Sequence, residues 1–266
     1  MNLNDNDIRL IGTLLSAERL NALETLTGST REAIELHQQI LRLGASLMTV
    51  TAVIEIAIRN AVCNNLSDHF NTPDWLLNPP PPFEFRESEK NNIGKALASA
   101  RRAEYTKLKQ NEKHTLDNQA FPMGKPRDLK HKKRAAKRQE KINVTTGKVI
   151  AELTLFFWKR MYANDYEETL WKTSLKRTFP DKKLRRADIS PHLEQIYQTR
   201  NRLAHHEPVY GWRIEKTLKS IEFVTKRLGA DHADNENPLA KLLFEDIKLV
   251  HEQSACLKKR IASFNS

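Results

Sequence analysis

Hydrophobic positions recur at helical spacing along most of this chain. Ile34, Ile40, Leu41, Leu47, Ile54 and Ile58 mark one face of a long helix predicted over residues 31 to about 66, with Thr30 placed to cap it. A stripe of that spacing reads as core. Two shorter helices precede it. Residues 7–15 are apolar at Ile8, Ile11 and Leu15, and a second helix opens at Ser16-Ala17-Glu18-Arg19-Leu20. Ser16 is the expected N-cap there, and Arg19 lies in sequence reach of Glu18 or Glu24. Four successive prolines, Pro79 to Pro82, cannot continue a helix and favour an extended polyproline connector. Another helix is predicted over residues 88 to about 110. The pattern resumes at Asn143, and Ile150, Leu153, Leu155, Phe156, Phe157 and Trp158 form the densest aromatic cluster. Trp171, Leu175 and Phe179 follow, closed by Pro180. Ser190 is the expected cap of a helix with Pro191 at its first position, carrying Leu193, Ile196, Tyr197, Leu203 and Ala204 inward. Residues 214–228 and 239–261 read as two more amphipathic helices. No segment longer than a few residues has strand period, so the predicted class is all-α. Three regions are expected: 1–77, 78–145 and 146–266, the first and last forming one compact unit.

Charge adds a partner to this picture. Lys and Arg number 44 against 33 Asp and Glu, a net charge of +11 in 266 residues. Such a balance favours an anionic partner, nucleic acid or an acidic protein surface. The excess is concentrated in Lys125, Arg127, Lys130, Lys132, Lys133, Arg134, Lys137, Arg138 and Lys141, opposed by Asp128 and Glu140. Either a solvated face or a row of phosphate contacts fits that run. Cys63 and Cys256 offer neither a disulfide framework nor metal-ligand spacing, so no metal or cofactor is expected and a reducing cytoplasm fits best. The first residues lack a basic and an apolar region, so no signal peptide is expected. Arg42, Ser46, Thr49, Thr51 and Glu55 interrupt the most apolar stretch, which reads as a buried helix and not a membrane span.

The densest chemistry is Arg200-Asn201-Arg202-Leu203-Ala204-His205-His206-Glu207-Pro208. Arginine binds phosphate as a planar fork, and histidine both takes and gives a proton near neutral pH. RNA carries its own nucleophile, the 2′-hydroxyl. These residues are therefore a kit for cleaving RNA without metal, with His205 as proton-transfer group and Arg200 as phosphate clamp. Asn201 would orient the imidazole or donate to a phosphate oxygen. On an ideal helix Arg200 and His205 lie about 140° apart, whereas Asn201 and His205, like Arg202 and His206, share a face. Either the helix loosens before Pro208 and swings His205 round, or two chains supply complementary pieces. Glu55 stands one turn from Arg59. It forms a simple ion pair there, or it pairs with Arg202 or Arg59 and holds the cleft groups in place.

Taken in order, these landmarks resemble the Abi-like (abortive infection) bacterial defence family with its HEPN-type helical domain. Ser16-Ala17-Glu18-Arg19-Leu20 is similar to the family's opening element. The Glu55, Arg59 and Asn60 helix resembles its Glu-x-x-x-Arg-Asn element, and Ala151 to Trp158 its aromatic element. Leu170-Trp171 and Phe179-Pro180 fall at the family's intervals, and residues 200–208 match its Arg-Asn-Arg-x-Ala-His-His-Glu-Pro signature. The resemblance implies a HEPN-like bundle with an added N-terminal helical region, and a homodimer in which two Arg-x4–6-His motifs meet. It also implies a metal-independent endoribonuclease of phage defence. Such a toxin is restrained by a neutralising partner or works with a small RNA. Arg202, His206, Glu55, Arg59 and Asn60 would support the catalytic Arg200, Asn201 and His205. The competing readings are a non-catalytic RNA-binding module and an antitoxin-like interaction subunit.

Overall fold

The computed structural model describes residues 3–124 and 128–264. Helices hold 73% of the chain and no strand occurs among the described residues, so the fold is all-α. The chain divides into two compact units, residues 1–58, 162–164 and 176–266, and residues 59–161 and 165–175. The division falls within the long helix and not at the prolines, and it assigns residues 146–161 to the second unit.

The first unit begins with α1 (Asp5–Leu15) and α2 (Ala17–Thr27). Asn4 and Asp7 cap α1 reciprocally, each side chain accepting from the other's backbone N–H. Ser16 stands at the start of α2 with φ +69°, yet its hydroxyl makes no cap bond. Gly28 ends α2 in the left-handed region that glycine enters without strain. Then α3 (Thr30–Phe70) runs for 41 residues. Leu36, Leu43, Leu47, Val50, Ile54 and Ile58 are all buried on its inner face. By length and composition α3 could also cross a bilayer, a test that core helices pass as well.

The unit is completed by α9 (Arg186–Ala204), α10 (Trp212–Arg227), α11 (Pro238–Leu242) and α12 (Phe244–Ser263). Ile189, Leu193, Ile196 and Leu203 of α9 are buried, as are Ile214, Leu218, Ile221 and Val224 of α10. Helix α9 starts a turn earlier than the sequence predicts. Asp188 accepts from the Arg185 N–H at 2.8 Å and anchors the first turn, leaving Pro191 inside the helix and not at its first position. The proline, sixth in the helix, has no N–H to offer the carbonyl of Ala187 one turn back, a cost that it would not carry at the first position. Gly44 of α3 meets α9 closely: a Cβ there would stand 3.3 Å from Leu203 Cδ2.

The second unit holds the rest of α3, α4 (Glu87–Lys107), α5 (Gln110–Ala120), α6 (His131–Glu140), α7 (Thr146–Glu152) and α8 (Leu155–Arg160). The helix predicted over 88 to about 110 is α4, which ends at Lys107, and a further helix follows it: Glu112 caps the backbone N–H of Lys109 and opens α5. The prolines do not form an open connector. Trp75, Leu76, Phe83 and Phe85 flank them and are buried, with Phe83 and Phe85 edge to face at 5.0 Å. Phe85 continues the stack to Phe157, and Phe157 to Trp158. Apolar anchors on both sides outweigh the proline preference for extended chain. After α8 the chain passes through short 3₁₀ and π turns, so Trp171 and Leu175 are buried from irregular backbone and not from a regular α-helix.

Candidate functional site

The last turn of α9 sets the site's geometry. His205 is the C-cap, and its N–H still bonds the carbonyls of Asn201 and Arg202 at 3.1 and 3.2 Å. His206 follows with φ +55°. Its N–H bonds Leu203 O at 3.0 Å, and the Glu207 N–H bonds Arg202 O at 2.8 Å. These two bonds make a Schellman closure with histidine in the left-handed position that usually carries glycine. Pro208 comes next and prevents any further turn. Unwinding therefore begins at His206, one residue too late to turn His205 towards Arg200. Of the two resolutions open in the sequence, a loosened helix is not what this backbone adopts.

A non-glycine residue at φ +55° stores local strain. His206→Gly should relieve it while freeing the unfolded chain, for a net gain of about 0.5 to 1 kcal/mol in urea unfolding. An unchanged or lower midpoint would mean that the imidazole stabilises the turn. Part of what holds the turn is remote in sequence. Arg19 Nη1 donates to His206 O at 2.9 Å, so Arg19 serves this carbonyl and not the neighbouring Glu18 or Glu24.

Glu55 approaches Arg200, with Oε2 3.5 Å from Nε. The expected partners were Arg59 and Arg202. Arg202 instead pairs with Glu207 at 3.0 Å, because it lies two residues, about 200°, round α9 from Arg200. Its Nε is enclosed and without a partner. Arg59 is half-buried and Asn60 exposed on the next turn of α3, and both belong to the second unit. His205 is exposed and Asn201 half-buried, and among the described residues neither side chain makes a hydrogen bond. One chain thus presents an oriented arginine and, on another azimuth, an amide and an imidazole one turn apart.

Behind the turn is an apolar cavity of about 410 Å³, lined by Leu23, Ile40, Met48 and Leu203 together with Arg19 and His37. His37 is 6% exposed and its Nδ1 has no partner. Burial, with the nearby Arg19 charge, lowers its pKa and keeps the ring neutral at pH 7. His37 did not stand out in the sequence. The signal for His37 was its place three residues after Ile34 on the inward stripe of α3.

A family model described as Abi-like protein matches residues 23–211, which is more than half of the chain. The chain belongs to the Abi-like protein family. No curated protein and no solved structure matches it. The match takes in Glu55 and the whole of 200–208 but begins after Ser16 to Leu20, the segment read as the family's opening element. Membership points to abortive infection and phage defence.

The Abi-like protein's basic stretch divides into two kinds of residue. Lys125 and Arg127 lie outside the described residues. Arg138 of α6 is 4% exposed, with Nε and Nη2 on the Asp117 carboxylate at 2.7 and 2.8 Å and Nη1 on Tyr105. Arg134 joins the same carboxylate. Hydrogen bonds from Arg138 and then Arg134 hold Asp117 far below the usual carboxylate range. Their i, i+4 spacing turns both arginines onto Asp117 of α5, so they are withdrawn from the surface set. Lys130, Lys132, Lys133 and Lys137 remain exposed, Lys137 beside Glu140 at 3.0 Å.

Proposed function

We propose that this Abi-like protein is a metal-independent endoribonuclease of phage defence, working as a homodimer whose chains complete each other's sites. The observation that carries the reading is the end of α9. There His205 and Asn201 stand unpartnered on one face while Glu55 orients Arg200 on another. Within one chain these groups diverge, and a two-fold axis beside α9 would bring one chain's Arg200 to the other's His205.

At such a site an imidazole takes the proton of the RNA 2′-hydroxyl, whose oxygen attacks the adjacent phosphorus. The P–O5′ bond breaks, and an imidazolium returns a proton to the departing 5′-oxygen. Arg200 spreads positive charge over the phosphorane oxygens, where charge develops in the transition state. Glu55 limits the rotamers of that guanidinium, and Asn201 fixes the imidazole or donates to a phosphate oxygen. The products are a 2′,3′-cyclic phosphate and a 5′-hydroxyl. Uncontrolled RNA cleavage harms the host, so the reading carries with it a neutralising partner or small RNA in the resting cell. The lysines of α6 that stay exposed favour RNA as the anionic partner, and they would serve a non-catalytic RNA-binding protein equally well.

The test is purified protein with mixed RNAs in EDTA, a matched DNA control and identification of the ends. RNA should be cut to cyclic phosphate ends while DNA, lacking the nucleophile, survives. Cleavage that needs a divalent ion, or ends bearing a 3′-hydroxyl, would overturn the mechanism. RNA bound but uncut at any enzyme concentration would favour the binding module.

A further inference from the structure

Four tryptophans are present, and three of them, Trp75, Trp158 and Trp171, are buried. Trp212 is 63% exposed, at the first position of α10. A ring so exposed adds little to the core and stands where a ligand can reach it. The Arg213 guanidinium stacks on the indole at 4.9 Å and steadies it. With so much of it exposed, the indole still offers a ring surface to solvent.

Beside it α9 and α10 enclose a cavity of about 250 Å³, lined by Trp212, Arg202, Arg213, Lys216, Gln195 and Thr199 among others. Three of these are cationic, and no carboxylate lines the cavity. Arg202 does have one acidic neighbour, Glu207 at 3.0 Å on Nη2, while its Nε remains an unused donor. Gln195 is fixed from below: its Nε2 donates to Thr199 and Thr217, and those hydroxyls bond each other at 2.7 Å. Its Oε1 accepts no hydrogen bond among the described residues.

We propose that this cavity is a nucleotide subsite for single-stranded RNA, with a base stacked on Trp212 and its phosphate held by Arg213 and Lys216. An aromatic face, flanking cations and a fixed amide are the parts from which single-strand sites are built. The Gln195 carbonyl accepts from a base N–H. Because Arg202 belongs to the 200–208 run, the subsite would place the strand beside the residues assigned to cleavage. Trp212, Arg213 and Lys216 lie beyond the matched residues 23–211, so family membership says nothing about them. The proposal rests on RNA being the substrate, and its test is independent of cleavage.

The probe is a short 2′-O-methyl oligouridine, which cannot be cut by 2′-oxygen attack. Titrated into the full chain, it should quench tryptophan fluorescence saturably, since the single exposed indole is the one it stacks on. Trp212→Ala should lose that quenching and bind roughly 5- to 150-fold more weakly, while Trp212→Tyr keeps most of the affinity. Lys216→Ala should lower the slope of log affinity against log salt by about one. The same sequence as a duplex should bind poorly, its bases being already stacked. If the strand binds but Trp212→Ala binds it equally well, the subsite is overturned and the nuclease reading stands. If no strand binds even at low salt, both fall.

Discussion

Replacing His205 with Ala should leave a folded protein that cuts RNA about 10²- to 10⁴-fold more slowly, the contribution of a positioned proton-transfer group. The ring is exposed and makes no hydrogen bond among the described residues, so its removal leaves no buried group unpaired. Arg200→Ala should cause a comparable loss by removing charge stabilisation of the phosphorane. Its side chain is only partly exposed and meets Glu55, so a mild loss of stability should accompany the kinetic one. The pair of variants separates a one-chain site from a shared one. If each site takes Arg200 from one chain and His205 from the other, a mixed dimer of the two variants keeps one intact site. Equal mixing and re-equilibration should then restore about a quarter of wild-type activity, half of the dimers each having one of two sites. A site contained within a single chain would stay inactive in every mixture. Equal cleavage by wild type and His205→Ala would remove His205 from the mechanism.

The largest stability effect is expected in the second unit, at Glu89. Its carboxylate is fully buried and accepts from Ser88 and Tyr166 at 2.7 Å and from Arg160 Nε at 2.9 Å. Arg160 also bonds Asp165 at 2.7 Å. Burial alone would raise the Glu89 pKa. The hydrogen bonds from Ser88, Tyr166 and Arg160, with the Arg160 charge, outweigh it and bring the pKa below its ordinary 4.5. Arg160→Met keeps much of the side-chain stem but leaves the carboxylate buried without its cation, and should cost about 3 to 5 kcal/mol in urea unfolding at pH 7. Because the folded pKa is depressed, the group's contribution is present above the unfolded value near 4.5 and is lost as pH falls through the folded one. Acidification should therefore weaken the wild type more than the variant, in which burial raises the Glu89 pKa. The double variant Glu89→Met with Arg160→Met should recover most of the loss, since an apolar pair of similar volume often replaces a buried ion pair without cost. A loss below about 1 kcal/mol in the single variant would show that solvent reaches the carboxylate on its removal.

Much of this architecture is legible along the chain, because helical periodicity is local. The stripe from Ile34 to Ile58 places the inner face of α3, and Pro208 places the end of α9 within a few residues. Boundaries were read less well wherever a competing cap was stronger. Asp188 outranked Ser190 because a carboxylate bonded to the backbone N–H of Arg185 starts the helix before the serine is reached. The proline run turns where the sequence predicts extended chain, because proline's preference is local, whereas burial of Trp75, Phe83 and Phe85 depends on residues far along the sequence.

The motif at 200–208 shows the division most clearly. By itself the sequence determined the all-α class, the family and the presence of two arginines, an amide and two histidines at a helix end. All of these follow from residue type and spacing along one element. Only the tertiary structure decided which arginine Glu55 meets, that Arg19 holds the carbonyl of His206, and that Arg134 and Arg138 are spent on Asp117. Those outcomes turn on which faces of separate helices come together. A charge 145 residues away in sequence, as Glu55 is from Arg200, leaves no local trace, since pairing energy falls with distance in space and not along the chain.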